Sequence, residues 1–151
     1  MRILCILMLG FLFVWPLFAV PIKPVKKKDP AEELKKLQGT WRIVSFEKDG
    51  VRYSADRLAD LGLLTFKGSD YTWSSGAIPG KIVHIDPNQN PKTIDYEFNF
   101  GTCKGQKELG IYEIKGNTFK DCFCQPGGKR PTAFSAKRGS GHTLVVYERV
   151  K

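Results

Sequence analysis

From Thr93 to Phe100 apolar and polar side chains alternate one for one. Ile94, Tyr96, Phe98 and Phe100 fall on one face, and Asp95, Glu97 and Asn99 on the other. A period of two describes a strand with one dry and one wet face and is incompatible with a helix. The same period governs most of the chain after Gly39. Trp41–Lys48, Leu63–Lys67, Tyr71–Ser75, Lys81–Asp86, Leu109–Lys115, Thr118–Cys124 and Thr143–Arg149 all read as strands. Asp49-Gly50, Gly68-Ser69-Asp70, Pro87 and Gly116-Asn117 separate them as turns. Ser54 is placed to cap one short helix running through Leu61. About eight strands with short antiparallel connections describe an all-β barrel or sandwich.

One hairpin fixes a register. With Gly116 and Asn117 as central turn residues, Glu113 faces Lys120 and Tyr112 faces Asp121. The opposite charges of Glu113 and Lys120 belong outside. Tyr112, Ile114, Phe119 and Phe123 then share the inner face, and Asp121 joins them. An inward carboxylate is costly unless it is hydrogen-bonded or meets water. The same register puts Cys124 opposite Leu109, near the loop that carries Cys103, with Cys122 two residues deeper.

The first 20 residues belong to something else. Arg2 precedes an apolar run from Ile3 to Val20, broken only by Gly10 and Pro16. A basic start and an apolar stretch ending at a small residue, here Ala19, describe a secretory signal over residues 1–19. An uncleaved membrane anchor is the competing reading, since such a run just reaches across a bilayer. Residues 20–38 form a basic Pro/Lys linker with six lysines and three acids; its end, Ala31–Leu37, has a short helical pattern with Glu32 and Lys36 spaced for an ion pair. Residues 39–151 are the β domain. In an exported chain proximal thiols pair, so a Cys103–Cys124 disulfide is expected, with Cys122 left over. The formal charge of +9 favours anionic neighbours, among them a component of the cell envelope.

Two separated features resemble the lipocalin superfamily: Gly39-Thr40-Trp41 opening the first long strand, and Arg149 near the end of the last. The resemblance implies that Trp41 closes one barrel end with Arg149 stacked over its indole, a cation–π contact. Leu37-Gln38-Gly39-Thr40-Trp41, Leu64-Thr65-Phe66-Lys67-Gly68, Pro91-Lys92-Thr93-Ile94-Asp95, Leu109-Gly110-Ile111-Tyr112-Glu113, Arg130-Pro131-Thr132-Ala133-Phe134 and Gly139-Ser140-Gly141 are similar to a family of exported lipocalin-like domains abundant in planctomycetes. That resemblance spans about residues 34–150. It implies an eight-stranded antiparallel lipocalin-like barrel with one short helix after the first strand, in an exported context (periplasm, envelope or secreted). It implies no activity.

Motifs for chemistry are sparse. His84 and His142 lie on different segments, so a thiolate metal site with Cys122 and Cys124 lacks its spacing. Gly139-Ser140-Gly141 lacks the strand-to-helix context of a nucleophile elbow. Asp121 and Glu113 fall on opposite strand faces, which a carboxylate pair acting on one substrate does not tolerate. Lys129, Arg130, Lys137 and Arg138 make a basic loop without the interleaved aromatics of a single-strand binder, and it reads as solvated. No catalytic residue, metal, cofactor or specific nucleic-acid partner is expected. The expected function is an exported, non-enzymatic binding module for a small apolar or amphipathic ligand. Tyr96, Phe98, Tyr112 and Phe119 would be its walls and Asp121 its orienting group. The alternative is a structural or interaction protein of the cell envelope with a filled barrel. A cavity of about 300 Å³ or more separates the two.

Overall fold

The computed structural model describes residues 26–77 and 79–151, so the expected signal segment and Cys5 lie outside the described residues. Helix α1 (Pro30–Leu37) precedes strands β1 (Gly39–Lys48) and β2 (Val51–Arg52). Helix α2 (Ala55–Asp60) leads into β3 (Leu63–Lys67), β4 (Asp70–Trp73), β5 (Gly80–Asp86) and β6 (Lys92–Phe98). Strands β7 (Lys107–Lys115), β8 (Thr118–Cys124) and β9 (His142–Arg149) complete the domain. Strand β1 pairs with β3, each later strand pairs with the next, and β9 returns to β1. The result is a closed, lipocalin-like barrel of eight antiparallel strands, with β2 a two-residue extension hooked onto β1. The helix that follows the first long strand is α2. Ser54 stands at its N-cap without making a side-chain hydrogen bond. No helix among the described residues is long and apolar enough to cross a membrane.

Two bulges set which residues point inward. In β1 the register shifts between Ile43 and Ser45, so Trp41 and Ile43 face the interior before the shift, and Phe46 and Lys48 after it. In β5 the shift falls between Ile82 and His84. The extra residues, Val44 and Val83, are both exposed. A bulge puts two residues opposite one and bends the strand, which helps an eight-stranded sheet close.

One barrel end is sealed. Trp41 is fully buried, and its indole Nε1 donates to the carbonyl of Leu37, 2.7 Å away at the end of α1. The Arg149 guanidinium lies 4.1 Å from the centre of the Trp41 ring system. The same guanidinium donates to the carbonyls of Gln38 and Lys36, the latter at 2.6 Å. Gly39 has φ of 103°, and a Cβ there would lie 3.2 Å from Arg149 Nη1, so the glycine serves both the turn and the arginine. Phe119 stacks on Tyr147 at 5.1 Å and tilts against Trp41 at 5.7 Å. On the rim above, buried Glu33 accepts from Lys36 at 2.7 Å and from Lys92. Burial pushes its pKa up, but the two lysines outweigh burial and hold it below the usual range. The expected Glu32–Lys36 pair is replaced by Glu32–Lys35 and Glu33–Lys36, because Glu33 turns inward toward the barrel rim.

The loop after β8 is no solvated connector. Residues 125–141 strap the outer face of β7–β9 and bury Pro131 and Ala136 there, together with Ile111, Cys122 and Cys124 of the strands. Arg130 clamps the strap: it grips both carboxylate oxygens of Asp95, Nη2 at 3.0 Å, and donates to the carbonyl of Gly110 at 2.6 Å. Lys129, Lys137 and Arg138 remain exposed.

Cys103, Cys122 and Cys124 are all free thiols, so the expected Cys103–Cys124 disulfide is not formed. Cys124 turns to the outer face against Gly128 of the strap, where an added Cβ would meet the Cys124 Cβ at 3.0 Å, whereas Cys103 sits in the short turn between β6 and β7. Burial pushes the Cys122 thiol up to about 11, and its Sγ–H meets the Ser135 carbonyl at 3.4 Å. Phe100, expected on the inner face, is 69% exposed because β6 ends at Phe98.

Trp41→Ala should destabilise by about 3–5 kcal/mol. Arg149→Ala should destabilise by about 2 kcal/mol or more, losing a stacked cation and two charged hydrogen bonds. Chemical denaturation of both variants and the double mutant should give strongly non-additive losses, because the two side chains touch; additive losses would contradict the contact. Arg130→Ala should destabilise by about 2–3 kcal/mol and speed tryptic cleavage after Lys129, Lys137 and Arg138. Unchanged cleavage would show that the clamp does not hold the strap.

Candidate functional site

Below the sealed end the barrel is not filled. A cavity of about 450 Å³ runs from the middle of the barrel to the opposite end, where Asp60, Leu61, Ser75 and Ala77 ring its mouth. Its wall is largely apolar and aromatic: Phe46, Leu64, Phe66, Trp73, Phe98 and Phe123 among others. Tyr71 and Tyr96 meet edge to face at 5.7 Å, and Tyr96 meets Phe123 in the same way at 6.1 Å. Gly80 makes room for Tyr71: a Cβ there would sit 2.4 Å from the tyrosine oxygen and 2.6 Å from the Glu97 carbonyl.

Two carboxyls project into this apolar space. Asp121 is 2% exposed. The Tyr96 hydroxyl donates to its Oδ2 at 2.8 Å, while Oδ1 is buried without a partner among the described residues. Burial raises its pKa to about 8; the Tyr96 hydrogen bond opposes the rise and the charge of Glu108 adds to it. Glu108, in β7, faces the same cavity. Burial pushes it up to about 7, and the positive charge of Lys48 partly offsets this. Burial and the nearby acids also push the hydroxyls of Tyr71, Tyr96 and Tyr147 above their ordinary value. The site can therefore accept hydrogen bonds, hold protons at neutral pH and stack flat groups.

Of the five residues expected to form a site, the structure brings Tyr96, Phe98 and Asp121 to the cavity. Phe119 does not line it, because its ring is spent on the sealed end against Trp41, Phe66 and Tyr147. Tyr112 also lies apart, beneath the rim, with its ring 5.4 Å from Lys92 Nζ. Tyr112 and Asp121 are opposite in register, yet it is Tyr96, from the neighbouring strand β6, that reaches the carboxylate. Glu108, Lys48 and Tyr147 were not foreseen. Glu108 had a signal: counting inward residues back from Tyr112 through Gly110 reaches it.

The chain finds no match among protein-family models, curated proteins or solved structures.

Stability should fall as pH rises through neutrality. An acid with a raised folded pKa favours the native state while protonated; that advantage is complete below the unfolded pKa, near 4, and is lost as pH climbs to the folded value. For Asp121 the window runs up to about 8 and for Glu108 to about 7. Each group costs at most about 1.4 kcal/mol per pH unit crossed. Thermal melts between pH 5 and 8.5 should show a falling Tm that is markedly flatter in Asp121→Asn. An equal slope in the variant would contradict a protonated interior Asp121.

Proposed function

We propose that this protein is an exported, non-enzymatic binding module of the lipocalin-like kind, which holds a small amphipathic ligand inside its barrel. The observation that carries this reading is the 450 Å³ aromatic cavity with a half-satisfied buried carboxyl at its floor. A barrel evolved only as a structural plug would fill that space, since a void forfeits packing energy. It would also have no reason to keep an acid there that penalises folding. The cavity lies in the range of small-molecule pockets, mostly apolar with a few converging polar groups. Membership of the planctomycete exported family, proposed on the motifs above, is consistent with a secreted carrier.

Binding suits the cavity better than catalysis because its wall offers carboxyls and aromatic faces and, among the described residues, no activated nucleophile. The Cys122 thiol is outside the barrel and His84 is exposed on β5. The basic surface and the Pro/Lys linker would keep the protein near anionic envelope polymers.

A neutral apolar fluorophore such as N-phenyl-1-naphthylamine should bind with a stoichiometry of about one and quench tryptophan emission through Trp73, which lines the cavity. Leu61→Trp, which fills the mouth far from the sealed end, should weaken that binding about tenfold or more while the fold persists by circular dichroism. Absence of binding to the parent protein, or binding unaffected by the mouth substitution, would overturn the reading.

A further inference from the structure

We infer that the ligand carries a protonated amine on a compact apolar or aromatic body, with its ammonium seated between Asp121 and Glu108. This rests on the barrel being a binding site and specifies what enters it.

The cavity's polar groups are the carboxyls of Asp60, Glu108 and Asp121, the hydroxyls of Tyr71, Ser75, Tyr96 and Tyr147, and one lysine, Lys48. Asp121 offers a buried Oδ1 with no partner among the described residues, and Glu108 faces the same space from β7. Both acids line the one cavity, Asp121 from β8 and Glu108 from the adjacent strand β7. An ammonium has three donors and no acceptor, so it suits a cavity whose unpartnered group is a carboxyl oxygen. The surrounding faces of Tyr71, Tyr96, Tyr147 and Trp73 suit a cation as well as an aryl body.

The alternatives fit less well. An anionic head would enter beside two interior acids, with Asp60 at the mouth and Lys48 the one cation on the cavity wall among the described residues. A purely apolar ligand would leave Asp121 Oδ1 unpartnered and cover Glu108 without a hydrogen bond, at a desolvation cost. The basic outer surface does not reverse the preference. Screening at physiological salt limits exposed charges to about 8 Å, whereas the acids are inside.

Acidity should couple to binding in a defined sense. The groups facing the pair are Lys48 from β1, Asp60 from the end of α2, Tyr71 from β4, Tyr96 from β6 and Tyr147 from β9. The tyrosines stay neutral through pH 8 because their hydroxyls are shifted upward. An amine must then drive the proton off an interior carboxyl, so its affinity should rise with pH, by about tenfold per unit for each proton released.

Calorimetric titration of the full chain with 2-phenylethylamine, 2-phenylethanol and 3-phenylpropionate separates the cases, because the three share a body and differ in head group. The amine should bind at least tenfold tighter than the other two at pH 7.5, and tighter at pH 8 than at pH 6. Asp121→Asn and Glu108→Gln should each erase the amine's advantage over the alcohol, with the fold intact by circular dichroism. Lys48→Met, which removes the competing cation, should tighten the amine several-fold. Equal binding of the three, preference for the acid, or failure of all three while the naphthyl probe still binds would overturn the amine assignment and leave the binding barrel standing. Failure of the naphthyl probe as well would remove both.

Discussion

The stack of Arg149 on Trp41 is the contact on which the rest of the barrel depends. It joins the first and last strands, whose pairing closes the sheet. The same guanidinium ties down the carbonyls at the end of α1, so the N-terminal helix becomes a plug over one barrel end. Phe119, Phe66 and Tyr147 pack beneath the indole and complete the seal. Large aromatic residues bury the most area per side chain, and at this end Phe119 packs directly on both Trp41 and Tyr147. The other end keeps the cavity.

That asymmetry explains how a small domain carries two carboxyls that face its interior cavity. Hydrophobic burial at the sealed end, and a second apolar layer beneath the strap held by Arg130, supply stability away from the cavity. The cavity can then hold groups that oppose folding. Asp121 and Glu108 lie on adjacent strands in the half of the barrel toward the mouth. Strain against folding at one place, compensated elsewhere, is a common mark of a site kept for function.

Much of this was legible from the residues. The Gly116-Asn117 turn set the β7–β8 register correctly, and with it the inward direction of Asp121. Gly39, Trp41 and Arg149 marked the end where the barrel closes. What escaped was tertiary. The bulge at Val44 swaps the faces of β1, so strict alternation hides Lys48 and places Ser45 where Phe46 belongs. Glu108 lay one residue before the expected start of its strand. The strap looked like a solvated loop because its burial rests on Pro131, Ala136 and one arginine rather than on an apolar run. The cysteine pairing failed for a related reason: alternation turns Cys124 outward, under that strap. Period-two patterns report which face is dry; they do not say that both faces are.

The binding site depends on a desolvated acid at the floor of an unfilled barrel, and carboxyl-carbon NMR of Asp121 tests for that acid most directly. Titrating the ¹³Cγ resonance, assigned by Asp121→Asn, should give a midpoint near 8, with the neutral carboxylic acid as the dominant form at pH 6. A midpoint near 4, the ordinary value for aspartate, would mean that the carboxyl is solvated and would contradict a desolvated acid at the cavity floor.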